Sequence, residues 1–125
     1  MSFGEMAAEA VRSARVLLEL GDHRGAINRG YYAIFNAARA ALNAIQPGLG
    51  DAKKHKTIIS RFSQHLVQTS AVDARLGRIL TKTFDARIAA DYEHAPIERE
   101  GAATIVASAE DFVAEISRYL KSRTP

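Results

Sequence analysis

Apolar residues recur along this chain at intervals of three and four rather than two, a pattern that predicts helices throughout and no strand. The first predicted helix runs from about Gly4 to Leu20 on a stripe of Met6, Ala10, Ala14, Leu17 and Leu18, with Gly21 as its stop. Asp22 is placed to cap the second, about His23 to Ile45. Its apolar face is Ile27, Tyr31, Ile34, Phe35, Ala38, Ala41, Leu42 and Ile45. Ala33, Ala37 and Ala40 keep its flank narrow, which admits a close neighbour, either another helix or a second subunit.

Pro47, Gly48 and Gly50 break the pattern and predict a loop from Gln46 to Asp51. A third helix, about His55 to Val67, presents Ile58, Ile59, Phe62, Leu66 and Val67. Asp73 is a candidate cap for a fourth, whose stripe of Leu76, Ile79, Leu80, Thr83 and Phe84 ends on Arg87. Pro96 biases Ala95 away from helical geometry, so that helix is expected to end near Tyr92, Glu93 or His94. The last helix, about Glu98 to Lys121, buries Ile105, Ala109, Phe112, Val113, Ile116 and Leu120. The predicted fold is all-α: an up-and-down four-helix bundle with one extra short helix, forming one domain over residues 1–125.

Apolar residues at 47% and charged residues at 25% are the balance of a globular protein rather than a disordered one. The absence of cysteine excludes disulfides and thiolate metal sites. No apolar run approaches the roughly 20 residues of a membrane span, so a cytoplasmic protein with no membrane partner is expected. A net charge of +3 permits contact with nucleic acid without arguing for it. The densest basic cluster is Lys53, Lys54, His55, Lys56 and Arg61. There a solvated loop and helix start is favoured over a phosphate-binding patch.

Candidate chemistry centres on Arg87 and His94. Seven steps along a helix return a side chain to within about 20° of its starting direction, about 10 Å further along the axis. The two could converge on one phosphate, and Asp91, four residues after Arg87, could hold the guanidinium in an ion pair. A neutral histidine can take the proton of a ribose 2′-hydroxyl while a guanidinium stabilises charge at phosphorus, with no metal or cofactor required. The alternative is purely structural: an Arg87–Asp91 pair near Tyr92 and Tyr31 or Tyr32, with His94 a turn residue.

Arg29, Tyr31 and Tyr32 form a second polar group inside the apolar second helix, either core tyrosines with satisfied hydroxyls or rings that stack on a base. Arg61 and His65 are a weaker competing pair. No glycine-rich phosphate loop, zinc-protease pattern or nucleophile elbow is present, and the four histidines lack metal-ligand spacing.

Three stretches together resemble the HEPN superfamily, in its branch of small stand-alone prokaryotic proteins. They are Ala26 to Arg39 with its paired tyrosines, Lys54-His55-Lys56 followed by Phe62, and Arg87 through Ala90-Asp91-Tyr92 with a last helix containing Ala109 to Val113. The resemblance implies a four- to five-helix bundle, homodimerisation, and a partner of the minimal nucleotidyltransferase type acting as antitoxin. It also implies metal-independent endoribonuclease activity through an arginine, four to six residues and a histidine, which falls on Arg87 and His94. Cleaving relatives carry a polar residue right after the arginine, where this chain has Ile88. Pro96 stands where one toxin group has a tyrosine modified by its partner, so that mechanism is not carried over.

Two functions follow as expectations, beside a more modest third, a purely structural antitoxin-bound or scaffold subunit. In the first the chain is a toxin-like ribonuclease, leaving 2′,3′-cyclic phosphate ends. In the second it is a non-catalytic module in which Arg29, Tyr31, Tyr32, Arg87 and Asp91 line a cleft for a nucleotide or a partner protein.

Overall fold

The computed structural model describes residues 1–92 and 96–123, without the side chain of Tyr92. Among them the chain forms five α-helices and no strand: α1 Phe3–Glu19, α2 His23–Ile45, α3 His55–Phe62, α4 Ala74–Tyr92 and α5 Arg99–Ser122. α3 runs on into a π-helical turn, Ser63–Val67, closed by a bond of 2.8 Å from the Gln68 amide to the Ser63 carbonyl. The third helix is therefore wider at its end than expected. Ile58, Phe62 and Leu66 are spaced by four, a step that drifts about 40° around an α-helix, and a wider turn brings Leu66 back to the buried side.

The helix ends follow local chemistry. Ser2 and Glu5 form a reciprocal capping box at the start of α1, a Ser-x-x-Glu signal that places the helix start one residue before Gly4. At its other end Gly21, at φ 84°, allows the Asp22 amide to reach the Leu17 carbonyl at 2.9 Å and its own amide to reach Leu18 at 3.1 Å. Asp22 then caps α2 by accepting from the Gly25 amide, and Asp73 caps α4 by accepting from the Arg75 amide at 2.8 Å.

α2 is the central element, packed against α1, α3, α4 and α5. Its small residues permit this: Ala33, Ala37 and Ala38 are buried, and a Cβ on Gly30 would stand 3.1 Å from Ile105 Cγ2 of α5. The larger core cluster joins Ile34, Leu42, Ile58, Phe62, Leu80 and Phe112, with the Phe62 and Phe112 rings 5.6 Å apart. A smaller one gathers Leu18, Ile27 and Val106 toward the other end of the bundle. Half-buried ion pairs, Arg15 with Glu110 and Arg75 with Asp111, tie α1 and α4 to α5. Surface pairs of this kind add little stability and mainly fix register.

Among the described residues, polar ties link the end of α4, the segment before α5 and the start of α5 to α1 and α2. Arg24 donates to the Ala90 carbonyl near the end of α4. His23 Nδ1 donates to the Ile97 carbonyl at 2.9 Å, and Arg99 donates to the Leu18 carbonyl at 3.0 Å.

Candidate active site

The apolar stripe of α4 is interrupted by a charge at Arg87, although Ala90 beyond it is buried again. Leu76, Leu80 and Thr83 are buried, Thr83 satisfying its hydroxyl on the Ile79 carbonyl at 2.6 Å. The next residue, Phe84, is half-buried, and one turn further Arg87 emerges into a cleft of about 490 Å³ between α2, α4 and the start of α3.

The α2 wall of this cleft is a single helix face. Asn28, Tyr31, Tyr32, Phe35 and Arg39 fall at spacings of three, one, three and four, so their side chains stack along one side, with Arg29 at its edge. Lys53 and His55, from the loop before α3 and its first turn, close the opposite side. Four cations, Arg29, Arg39, Lys53 and Arg87, line the cleft, and no carboxylate does among the described residues.

At the base of the cleft, Tyr31 is 2% exposed and its hydroxyl lies 2.8 Å from His55 Nδ1. The imidazole is boxed in by aromatic rings, with centroids 4.4 Å from Phe35, 5.5 Å from Tyr31 and 5.9 Å from Phe84. The Arg87 guanidinium lies over the Tyr31 ring, 5.2 Å from its centroid, where the negative π face holds the cation. Burial pushes the Tyr31 phenol well above its ordinary range, so it stays protonated. Burial, with the positive charges of Arg87 and Arg39, lowers the pKa of His55, so its ring is neutral at neutral pH.

Arg39 organises the lower rim. It donates from Nε to the Gly50 carbonyl at 2.9 Å and from Nη2 to the Ala52 carbonyl at 2.8 Å. Its guanidinium sits between the Phe3 and Phe35 rings, 4.7 and 4.8 Å from their centroids. A Cβ on Gly50 would fall 2.3 Å from the Arg39 carbonyl oxygen, which is why glycine stands there. The clamp delivers Lys53 and His55 to the cleft.

The structure brings together Arg29, Tyr31, Tyr32 and Arg87 of the residues singled out in the sequence. Asp91 is exposed and outside the cleft, and no Arg87–Asp91 ion pair occurs among the described residues. The expected pairing is corrected: the half-buried guanidinium gains more from the Tyr31 ring than from a solvated carboxylate. His94 and the Tyr92 side chain lie outside the described residues.

Tyr31 takes the core role weighed above, while Tyr32, at 36% exposed, keeps an open ring with the Arg29 guanidinium 4.7 Å from its centroid. Arg61 donates to the Leu49 carbonyl at 2.8 Å and serves the loop rather than a site with His65. Sequence reasoning missed Asn28, Phe35 and Arg39 as cleft residues, and it weighed the basic cluster of Lys53 and His55 as a phosphate-binding patch but favoured a solvated loop. The α2 periodicity carries the signal for the first three, since polar Asn28 and Arg39 sit at the two ends of an otherwise aromatic stripe.

These features define an all-helical bundle with a cationic, aromatic cleft beside its central helix. A model of the HEPN domain family matches residues 2–119, and the chain belongs to that family. It is 37% identical over 117 residues to a Methanocaldococcus jannaschii protein named a putative toxin, covering 94% of this chain and 85% of that protein. A UPF0332 protein of Thermotoga maritima is 31% identical, covering 92% of this chain and 86% of its own length. Another UPF0332 protein, from Gloeobacter violaceus, is 32% identical across 70% of this chain and 68% of that protein. No helix among the described residues is long and apolar enough to cross a membrane.

Proposed function

We propose that this chain is a toxin-like HEPN protein that binds and cuts single-stranded RNA in the Arg87 cleft without a metal ion. The observation that carries the reading is the Arg87 guanidinium, set over Tyr31 in a cleft that also holds Arg29, Arg39 and Lys53 and no carboxylate among the described residues. Such a surface attracts a phosphodiester, and a planar guanidinium can spread over the charge that grows at phosphorus during transfer. The proton carrier that the family resemblance assigns is His94. In this reading two copies pair, and a minimal nucleotidyltransferase serves as antitoxin. The naming of the Methanocaldococcus relative as a putative toxin supports the toxin role.

The test is incubation of the purified protein with single-stranded RNA, with and without a chelator. Chelator-insensitive cleavage that leaves 2′,3′-cyclic phosphate ends and is lost in Arg87→Ala supports the reading. RNA left intact at high protein concentration sinks it.

A second reading, a non-catalytic module for a nucleotide or partner protein, is favoured by the exposed Tyr32 ring with Arg29 across it, a ready stacking platform. Ligand-dependent thermal stabilisation by mononucleotides, with RNA untouched, would select it.

A further inference from the structure

The cleft holds a titratable group that the arginine-histidine pair leaves unused. His55 comes from α3, far in sequence from Arg87, yet both line the same cleft. Its ring is held on three sides by aromatic neighbours, so its orientation is set by packing as well as by the 2.8 Å bond from Nδ1 to the Tyr31 hydroxyl. With Nδ1 so engaged, Nε2 is the nitrogen left for a second partner.

Among the described residues, the charged and titratable groups around it are Arg87 from α4, Arg39 and Tyr31 from α2, and Lys53 from the preceding loop, with Lys54 and Lys56 exposed on either side of it. All but the phenol are cations. They disfavour an imidazolium and favour the neutral ring, and a bound phosphodiester would offset that repulsion as the proton arrives.

We propose that His55, oriented by Tyr31, is the group that accepts the ribose 2′-hydroxyl proton at the phosphate held by Arg87. The inference rests on the RNA-cleavage reading and deepens it by assigning the base to His55 rather than His94. In the tautomer whose Nδ1–H donates to Tyr31 Oη, the Nε2 lone pair takes the 2′-hydroxyl proton. The 2′-oxygen bonds to phosphorus and the bond from phosphorus to the 5′-oxygen breaks. The leaving 5′-oxygen takes a proton from water and His55 releases its own to solvent, so the products are a 2′,3′-cyclic phosphate and a 5′-hydroxyl with no net proton change. Tyr31, kept protonated, accepts from the imidazolium and is a positioning residue.

The experiment measures kcat/KM for a single-stranded RNA oligonucleotide from pH 4.5 to 9 with wild type, His55→Asn, His55→Gln and His94→Ala, each checked for folding by thermal melt. Asparagine keeps a hydrogen-bonding group near the position of Nδ1 without a titratable nitrogen. His55→Asn is expected to lower the rate by about 100-fold or more and to abolish the low-pH limb. If either folded His55 variant keeps the wild-type rate and limb, or if the limb vanishes in His94→Ala instead, the assignment of the base is overturned and the cleavage reading stands. A wild type that leaves RNA intact at every pH overturns both.

Discussion

The Tyr31 hydroxyl and His55 Nδ1 stand 2.8 Å apart across the floor of the cleft, joining the central helix to the first residue of α3. This bond links the fold to its chemistry. It places a titratable ring beside Arg87 and couples that ring's protonation to the packing of Phe35 and Phe84.

The coupling has a signature in stability. The folded state holds the His55 pKa below its ordinary value of about 6.5, so the unfolded chain binds the proton more readily. The His55 contribution is therefore fully present above pH of about 6.5 and is lost as pH falls through the lower folded value. Urea unfolding at pH 7.5 and at pH 5 should show wild type losing stability at the lower pH, and His55→Asn should lose less. Equal pH dependence in the two proteins would contradict this account of the ring's surroundings.

Arg39 holds the loop that delivers Lys53 and His55. Arg39→Ala removes two charge-assisted bonds to carbonyls and is expected to cost about 2–4 kcal/mol of unfolding free energy. Arg39→Lys should recover only part of that, because an ammonium cannot make both bonds in the planar geometry of a guanidinium. Chemical denaturation of the three proteins checks the order.

Gly50 packs against the Arg39 backbone, where no flexible side chain can yield. Gly50→Ala should destabilise the protein by about 1–3 kcal/mol through overpacking. By contrast, Gly101→Ala meets nothing within 4 Å among the described residues and, in the first turn of α5, should be neutral or slightly stabilising. Thermal melts of the two variants side by side separate steric from conformational effects.

If the four cleft cations meet the RNA backbone, binding should weaken with salt at a slope of about −3 in log K against log salt. Lys53→Ala should reduce that slope by about 0.7. Fluorescence anisotropy with a single-stranded oligonucleotide at several salt concentrations measures both values. A salt-independent affinity would mean that the ligand is not held by its phosphates.

The helices were legible in the order of residues because an amphipathic helix is a local object. Its period, its cap and its stop lie within one short stretch, as the run from Leu17 through Gly21 to Asp22 shows. The α2 bounds, His23 and Ile45, agree with the sequence reading at both ends. The π-helical turn after Phe62 was less visible, since it answers to how Leu66 meets its neighbours.

The cleft behaves differently. Arg87 could be singled out because a charge ending an apolar stripe is a local anomaly. Nothing local says that its guanidinium turns to Tyr31 rather than to Asp91, or that Arg39 clamps Gly50 and Ala52 so that His55 arrives at the Tyr31 hydroxyl. Those relations join residues up to 56 positions apart, and only the packing of α4 and α3 on α2 creates them. The sequence alone therefore determined the bundle, its helices and the family resemblance, because those depend on short-range periodicity. Which polar groups share one low-dielectric space was decided by tertiary structure, because proximity and desolvation are properties of the packed whole.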